Sequence, residues 1–474
     1  MAPDSSQPPL TLPPEQMRRL GYQVVDLVVD ALAGLRDRPP ARRAGPEELA
    51  GLLGEPVPRA GGDPEVVLRQ AVTDVLGPAM RVDHPRFFAY VPIPSNYVGM
   101  LADALVSGFG VFAGTWQAAS GAAAAELATL RWLRELFGLP EAAGGLFVDG
   151  GSSANLYGLV AARRAVLEDR LEGAVLYASD QTHSWIGRAA GLVGLQPSQV
   201  RLLASDHEFR LPPEVVAGAV AADRAAGRRP FCVVATSGTT STGSVDPLAD
   251  LAALCRAEGL WFHVDGAFGA PAILTAEGRR LLAGIEQADS LALDAHKWLF
   301  QPLEAGCVLV RDVALLESIF STRREFLLDA AAGDREVNFT DRGLQLTRSF
   351  RAFKLWLSLK VFGLDAFAAA VQHGMDLAGY ADALLRRRTG WEVAAPTRLA
   401  LVSFRFADHA RSPEELEAVN RRLADAMLVD ELATLSSTVL DGRTTLRLCT
   451  VNPRTTREDV EATLARVEEL AAIV

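Results

Sequence analysis

Apolar residues recur every three or four positions from about Glu15, at Met17, Leu20, Val24, Leu27, Val28 and Ala31. That is the spacing of one face of a helix. The opening stretch MAPDSSQPPLTLPPEQ is rich in Pro and Ser and reads as a short mobile tail. A second Pro- and Gly-rich stretch, from about Arg38 to Asp63, interrupts the N-terminal helices. From about residue 120 the pattern alternates between helical and strand periods. AELATLRWLREL reads as an amphipathic helix, GLFVDGG as a strand and turn, NLYGLVAARRAVLED as a helix and AVLYAS as a strand. FCVVATS and LWFHVDG are further short apolar strands, separated by the helix LADLAALCRAEG. This alternation predicts an α/β fold: a mostly parallel sheet covered by helices, with ligand groups at the strand ends. After about Phe350 a long helix is expected around FKLWLSLKVFG, with strands near ALVSFRF and TTLRLCTV. The last helix starts at the cap-like Thr456 and runs through EDVEATLARVEELAA. The order implies an N-terminal tail and helical segment over 1–85, a large domain over 86–350 and a small C-terminal α/β domain over 351–474. No internal repeat or coiled-coil heptad is evident.

Composition narrows the function. A chain of 474 residues with 49% hydrophobic content can bury a large core and fill two or three domains. Its net charge of -11 argues against a nucleic-acid partner, which needs clustered Lys and Arg. Cys232, Cys255, Cys307 and Cys449 are widely spaced, with no CxxC pair and no metal-like His spacing. They read as buried thiols of a reducing cytoplasm, with no metal site. The N-terminus has no basic region followed by an apolar core, and no segment is apolar for long enough to span a bilayer. An unexported, cytoplasmic protein without a membrane partner is the expectation.

Two blocks carry the chemistry. SLALDAHKW (290–298) ends an apolar strand-like run in Lys297, which follows a histidine and an acidic residue. A partly desolvated lysine in such a place is a nucleophile for a carbonyl carbon. HVDGAFGA (263–270) follows the apolar LWF, so Asp265 is held on a buried strand, as a pyridinium nitrogen requires.

With these blocks in place, the chain resembles the pyridoxal phosphate (PLP)-dependent group II amino acid decarboxylases typified by aromatic-L-amino-acid decarboxylase. Glutamate decarboxylase is a more distant relative. The matching blocks run in the family's order through HPRFFAYVP (84–92), GGSSANLYGLVAAR (150–163), SDQTHSW (179–185), TSGTTSTGSVDPL (236–248), HVDGAFGA, DAHKW and LQLTRSFRAFKLW (344–356). The resemblance implies PLP fold type I, aspartate aminotransferase-like, and a homodimer clasped by the N-terminal segment. It implies a Schiff base on Lys297 and a pyridine nitrogen kept protonated by Asp265. Ala267 would pack under the cofactor ring, and His183 would stack on its other face and contact the substrate carboxylate. Thr240 would be the hydroxyl partner of His183. Gly151 and Ser152, opening the helix that carries Asn155, would hold the phosphate with a further donor from His296.

Two positions depart from the family's usual pattern. Ser153 stands where an acidic residue is often found, and Asp294 where Asn is often found near the phosphate. A second anion beside a phosphate is repulsive, so Asp294 is assigned to orienting a group near Lys297.

The implied reaction is decarboxylation of an L-amino acid to the amine and carbon dioxide. Tyr90, Val91, Pro92 and Ile93 match the family's apolar substrate wall, and Val91 replaces a larger ring. Trp, Tyr, Phe, Leu and Val all remain open as substrates. No arginine is evident for a distal carboxylate, although Arg86 is close in sequence. In the family, a loop tyrosine upstream of RSFRAFK protonates Cα. Counting back from that block without gaps places Phe339 there, and no tyrosine occurs between Tyr177 and Tyr380. Members with Phe at this position are similar to aromatic aldehyde synthases, which give an aldehyde, ammonia and peroxide. An aminotransferase or cysteine desulfurase fits less well: Arg443 and Arg447 do not resemble a substrate-carboxylate arginine, and Cys307 sits inside strand-like GCVLV.

Overall fold

Seven strands form one sheet: β1 (Gly144–Val148), β2 (Ala174–Ser179), β3 (Val200–Leu203), β4 (Arg229–Thr236), β5 (Trp261–Asp265), β6 (Ser290–Asp294) and β7 (Gly306–Val310). This computed structural model describes residues 10–321 and 336–473, so residues 1–9 of the expected tail lie outside it. The spatial order is β1-β7-β6-β5-β4-β2-β3. β3, β2, β4, β5 and β6 pair in parallel, and β7 runs antiparallel to both β6 and β1. The expected mostly parallel sheet therefore contains one reversed strand. β1 keeps the direction of β6, so β1, β2, β4, β5 and β6 all end at one edge. Every residue of β2, β5, β6 and β7 is buried, as a sheet covered on both faces requires.

The covering helices follow from local sequence. Helix Gly151–Leu167 lays Ala154, Leu159, Ala161 and Ala162 against the sheet. Its Gly158 is obligatory, because a Cβ there would sit 2.4 Å from the His263 ring. Helix Leu248–Glu258 stops where Gly259 turns left-handed at φ 62°, the conformation that glycine adopts at least cost.

A second sheet is built from β8 (Trp391–Val393), β9 (Leu401–Phe406), β10 (Ser436–Leu440) and β11 (Arg443–Cys449), in the order β10-β11-β9-β8 and antiparallel throughout. Val402, Phe404, Leu446 and Leu448 form its core with helices Pro413–Leu428 and Arg457–Ile473. Thr456 caps the last helix as expected. Its hydroxyl accepts from the Asp459 N–H at 3.3 Å, and Asp459 Oδ2 accepts from the Thr456 N–H at 3.0 Å.

The helix around FKLWLSLKVFG covers Ala352–Phe362 and stops at Gly363, φ 76°, before a 97° bend into Leu364–Arg387. That second helix joins the two cores, with Phe367 and Val371 in the first and Leu377, Ala381 and Leu385 in the second. Phe88, near the start of the expected large domain, is buried in the second core. Its N–H donates to Thr434 O at 2.8 Å, and its carbonyl accepts from Cys449 N at 3.2 Å.

The N-terminal helices Pro14–Ala33, Pro46–Leu53 and Pro64–Gln70 bury none of their own residues. Met17 and Val24 of the expected apolar stripe are exposed, as are Val25 and Val29 beside it. Among the described residues no single helix is long and apolar enough to cross a membrane.

Beneath β1 lies an ion pair removed from water. Arg348 and Glu126 meet at 2.7 Å with their side chains 1% and 0% exposed. Glu126 Oε1 also accepts from the Phe147 N–H at 2.9 Å, and Arg348 donates to the carbonyls of Ala113 and Phe147. Truncating one partner strands the other charge, so Glu126→Ala is expected to cost about 3–5 kcal/mol of stability. Urea denaturation measures it, and a loss below about 1 kcal/mol would contradict the pair's role.

Candidate active site

Parallel pairing sets the site. Thr236 lies opposite Asp265, and Asp265 opposite Ala292, so the ends of β4, β5 and β6 stand side by side. The turns that follow these strands, and those after β1 and β2, enclose a cavity of about 340 Å³. Ligand groups gather at this edge because side chains on successive turns converge there.

After β6 the chain turns back on itself, with Lys297 N donating to Asp294 O at 3.1 Å. The turn brings Lys297 Nζ to 2.9 Å from Asp294 Oδ2. His296 Nδ1 accepts from the Ala305 N–H at 3.2 Å. Its proton therefore sits on Nε2, 3.5 Å from the same Asp294 oxygen. Burial lowers the pKa of His296, leaving the ring neutral at physiological pH. Asp294 thus has its Oδ2 between the Lys297 amine and an imidazole N–H. Its second oxygen, Oδ1, is buried without a partner.

Asp265 is held by both oxygens. Oδ1 accepts from the Ala267 N–H at 3.1 Å and Oδ2 from the indole Nε1–H of Trp185 at 2.6 Å. Behind it, on the same face of β5, His263 is fully buried. Trp261 donates to Ser290 Oγ at 2.8 Å, leaving the Ser290 hydroxyl to donate to His263 Nδ1 at 2.7 Å. His263 Nε2–H then faces Asn155 Oδ1 at 2.7 Å. This tautomer follows from the network. It leaves the buried Asn155 Nδ2 unpaired, on a residue that lines the cavity.

The helix that starts at Gly151 has no side-chain cap, so its first N–H groups are free to receive an anion. A Cβ on Gly151 would come within 2.7 Å of Asp294 Oδ2 and 2.9 Å of Ala267 Cβ. Only glycine leaves this space open.

Gly151, Ser152, His183, Thr240, Asp265, Ala267, His296 and Lys297 all line the one cavity. His183 Nδ1 accepts from the Trp185 N–H at 3.3 Å, whereas no hydrogen bond joins it to Thr240. The pKa of His183 is lowered by desolvation, with Asp265 opposing.

Tyr90, Val91, Pro92 and Ile93 are absent from the cavity wall of the single chain. Tyr90 is held against the second sheet, where its N–H donates to Ser436 Oγ at 2.8 Å and its carbonyl accepts from Arg447 at 2.9 Å, while Val91 packs against the first core. Phe339 also lies elsewhere. It is 1% exposed in the core, with the Arg348 guanidinium 4.8 Å from its ring centre and that of Arg342 5.5 Å away. The expectation that Phe339 faces the reacting atoms is corrected by this packing: two cations clamp the ring beside β1. Arg443 pairs with Glu392 at 3.2 Å, and burial raises the pKa of the Cys307 thiol inside β7. Neither residue reaches the cavity. Sequence reasoning missed Trp185 as a donor to Asp265 and the buried hydroxyl of Thr236, which has no partner.

A family model, the pyridoxal-dependent decarboxylase conserved domain, matches residues 46–407. The chain belongs to this family. The decarboxylase is 42% identical over 464 residues to an aromatic-L-amino-acid decarboxylase of Bacillus atrophaeus, covering 98% of this chain and 97% of that one. It is 32% identical over 471 residues to a phenylacetaldehyde synthase of Arabidopsis thaliana, covering 97% and 95% of the two chains. The crystal structure of Oryza sativa TDC with PLP and tryptamine superposes with a TM-score of 0.93 at 27% identity, over 98% of this chain and 99% of that one.

The decarboxylase is a PLP-dependent carboxy-lyase of fold type I, and its cavity fits the cofactor. Asn155 Nδ2, Thr236 Oγ1 and Asp294 Oδ1 are buried, unpaired and lie on cavity-lining residues. Such atoms are costly unless a ligand or water meets them. The glycine turn is open to a phosphate, and Lys297 and Asp265 offer an amine and a carboxylate at neighbouring strand ends. Filling the turn should disable it. Gly151→Val is expected to weaken PLP binding to the apoenzyme by about tenfold or more, as overpacking a tight site does. Spectroscopic titration reads this, and wild-type affinity would remove the turn from the phosphate site.

Proposed function

We propose that this decarboxylase converts an aromatic L-amino acid, tryptophan, tyrosine or phenylalanine, to its amine and carbon dioxide as a cytoplasmic homodimer. Leucine and valine stand as further candidates. The observation that carries the reading is that Asp265, at the end of β5, and Lys297, in the turn after β6, line one cavity beside a helix N-terminus without a side-chain cap. When bound, PLP supplies a carbonyl that links to amines and a ring that accepts the electron pair freed as carbon dioxide leaves.

The chain's residues do the rest. Asp294 Oδ2 lies 2.9 Å from Lys297 Nζ, which sets the direction from which the amine acts. Asp265 holds the proton of the ring nitrogen, an interaction of the type whose loss commonly costs roughly a hundred- to a thousandfold. Ala267 and His183, which line the cavity, would hold the ring. Gly151, Ser152 and His296 hold the phosphate, and Thr240 supports His183 once the cavity is filled. In this reading residues 1–85 clasp the partner, 86–350 bind the cofactor and 351–474 close the site. The outward-facing Val24, Val25 and Val29 support the dimer, since exposed apolar stripes mark contact surfaces. The dimer would also give Tyr90, Val91, Pro92 and Ile93 a substrate-lining role, because the exposed Tyr90 ring is open to a partner.

A second reading rests on the absence of tyrosine between Tyr177 and Tyr380. No phenol from that stretch can return a proton to the substrate carbon. Reaction with oxygen to an aldehyde, ammonia and peroxide then competes, and the similarity to a phenylacetaldehyde synthase favours giving it a test.

Incubating PLP-loaded enzyme with the twenty amino acids, with carbon dioxide, amine, aldehyde and peroxide measured together, separates the readings. Equal yields of amine and carbon dioxide from aromatic substrates are expected. Aldehyde with matching peroxide would shift the assignment to the oxidative reaction, and no carbon dioxide from any amino acid would end both.

Borohydride reduction of the holoenzyme followed by peptide mapping is expected to label Lys297. Label on another lysine, or a Lys297→Ala variant with undiminished turnover, would overturn that residue's role.

A further inference from the structure

Trp185 is the first residue of helix Trp185–Leu192, is 4% exposed and lines the cavity. Three contacts converge on it. Its indole N–H reaches Asp265 Oδ2 at 2.6 Å. Its backbone N–H reaches His183 Nδ1 at 3.3 Å. Its ring meets the His263 ring edge-on, with centroids 6.1 Å apart and planes at 82°. The indole therefore joins the carboxylate at the end of β5 to the buried network behind it, while the backbone N–H of the same residue holds the histidine after β2.

An Asp carboxylate turns easily about its terminal bond, because that torsion has only broad minima. At the end of β5 the Ala267 N–H fixes one oxygen only. The second oxygen is fixed by Trp185, so the plane of the carboxylate is determined by two donors from different elements. Each oxygen keeps a free lone pair for a further donor. The nearby histidines donate no hydrogen bond to Asp265: His263 is engaged with Ser290 and Asn155, and His183 with the backbone of Trp185. Without the indole N–H, a nearly buried oxygen would lose its partner, and groups orienting a functional ligand commonly contribute a factor of about 10–100 to binding or activity.

We propose that Trp185 is a positioning residue: its indole N–H aims the Asp265 carboxylate at the cofactor's ring nitrogen. This rests on the reading above that Asp265 faces the ring nitrogen.

The test is a double-mutant cycle read by PLP affinity of the apoenzyme, with kcat and KM measured at saturating cofactor. Trp185→Phe keeps an aromatic ring and removes the donor. It is expected to weaken PLP binding about tenfold and to lower kcat more than it changes KM. In an Asp265→Asn background the same substitution should change PLP affinity by less than about twofold, since coupled sites are non-additive. Wild-type PLP affinity in Trp185→Phe, or an equal loss in both backgrounds, overturns the proposal. An Asp265→Asn enzyme that binds PLP and turns over like wild type would instead overturn the role of Asp265.

If Trp185→Phe does not fold, Trp185→Gln and Trp185→Leu provide the comparison, being similar in size but differing in an N–H donor. Binding of PLP about fivefold tighter by the Gln variant supports the proposal, that being the worth of one ordinary hydrogen bond. Equal affinities overturn it.

Discussion

Asp265 on β5 and the turn of Lys297 after β6 are neighbours because two buried strands pair in parallel, and the rest of the site depends on that pairing. Adjacent strands stand a little under 5 Å apart, so side chains leaving the same edge are presented together without a long loop to position them. Register decides which ones. Asp265 lies opposite Ala292, two residues before the end of β6, so the following turn carries Lys297 back over the edge. A slip of one residue would send Asp265 to the other face of the sheet. The buried hydrogen bonds that join Trp261 and His263 of β5 to Ser290 of β6 oppose that slip, since shifting the strands would leave those groups unpaired.

The polar groups around this pair form two sets with different functions. One is fixed and satisfied: Trp261, Ser290, His263 and Asn155 Oδ1 form a closed network behind β5, and Glu126 with Arg348 does the same beneath β1. Networks of this kind rigidify the strands that end at the cavity. The other set is open: Asn155 Nδ2, Thr236 Oγ1, Asp294 Oδ1 and the first N–H groups of helix Gly151–Leu167 have no partner of their own. Asn155 belongs to both sets. Its oxygen is engaged with His263, which frees its nitrogen for a ligand.

Much of this was legible in the sequence, for identifiable reasons. Short apolar runs alternating with helical periods are a strong local signal, and they led to the parallel sheet and to the strand ends that carry Asp265 and Lys297. The capping of the last helix at Thr456 is equally local. Contacts between elements far apart in the chain leave no such trace. Nothing in SDQTHSW says that the Trp185 indole meets a carboxylate eighty residues on. The clamp of Arg342 and Arg348 on Phe339 and the docking of Phe88 and Tyr90 on the second sheet are tertiary facts of the same kind. Gap-free counting to Phe339 could find a position in the chain, but not its burial. The reversed direction of β7 was hidden as well, because a fully buried strand reads the same in either orientation.

The central claim is that Asp265, held by Trp185 and Ala267, keeps the cofactor's ring nitrogen protonated. The nitrogen-15 chemical shift of the ring nitrogen, measured in enzyme loaded with isotopically labelled pyridoxal phosphate, reads that proton directly. The account predicts a protonated nitrogen in the wild type across the neutral pH range and an unprotonated one in Asp265→Asn. An unprotonated nitrogen in the wild-type enzyme would contradict it.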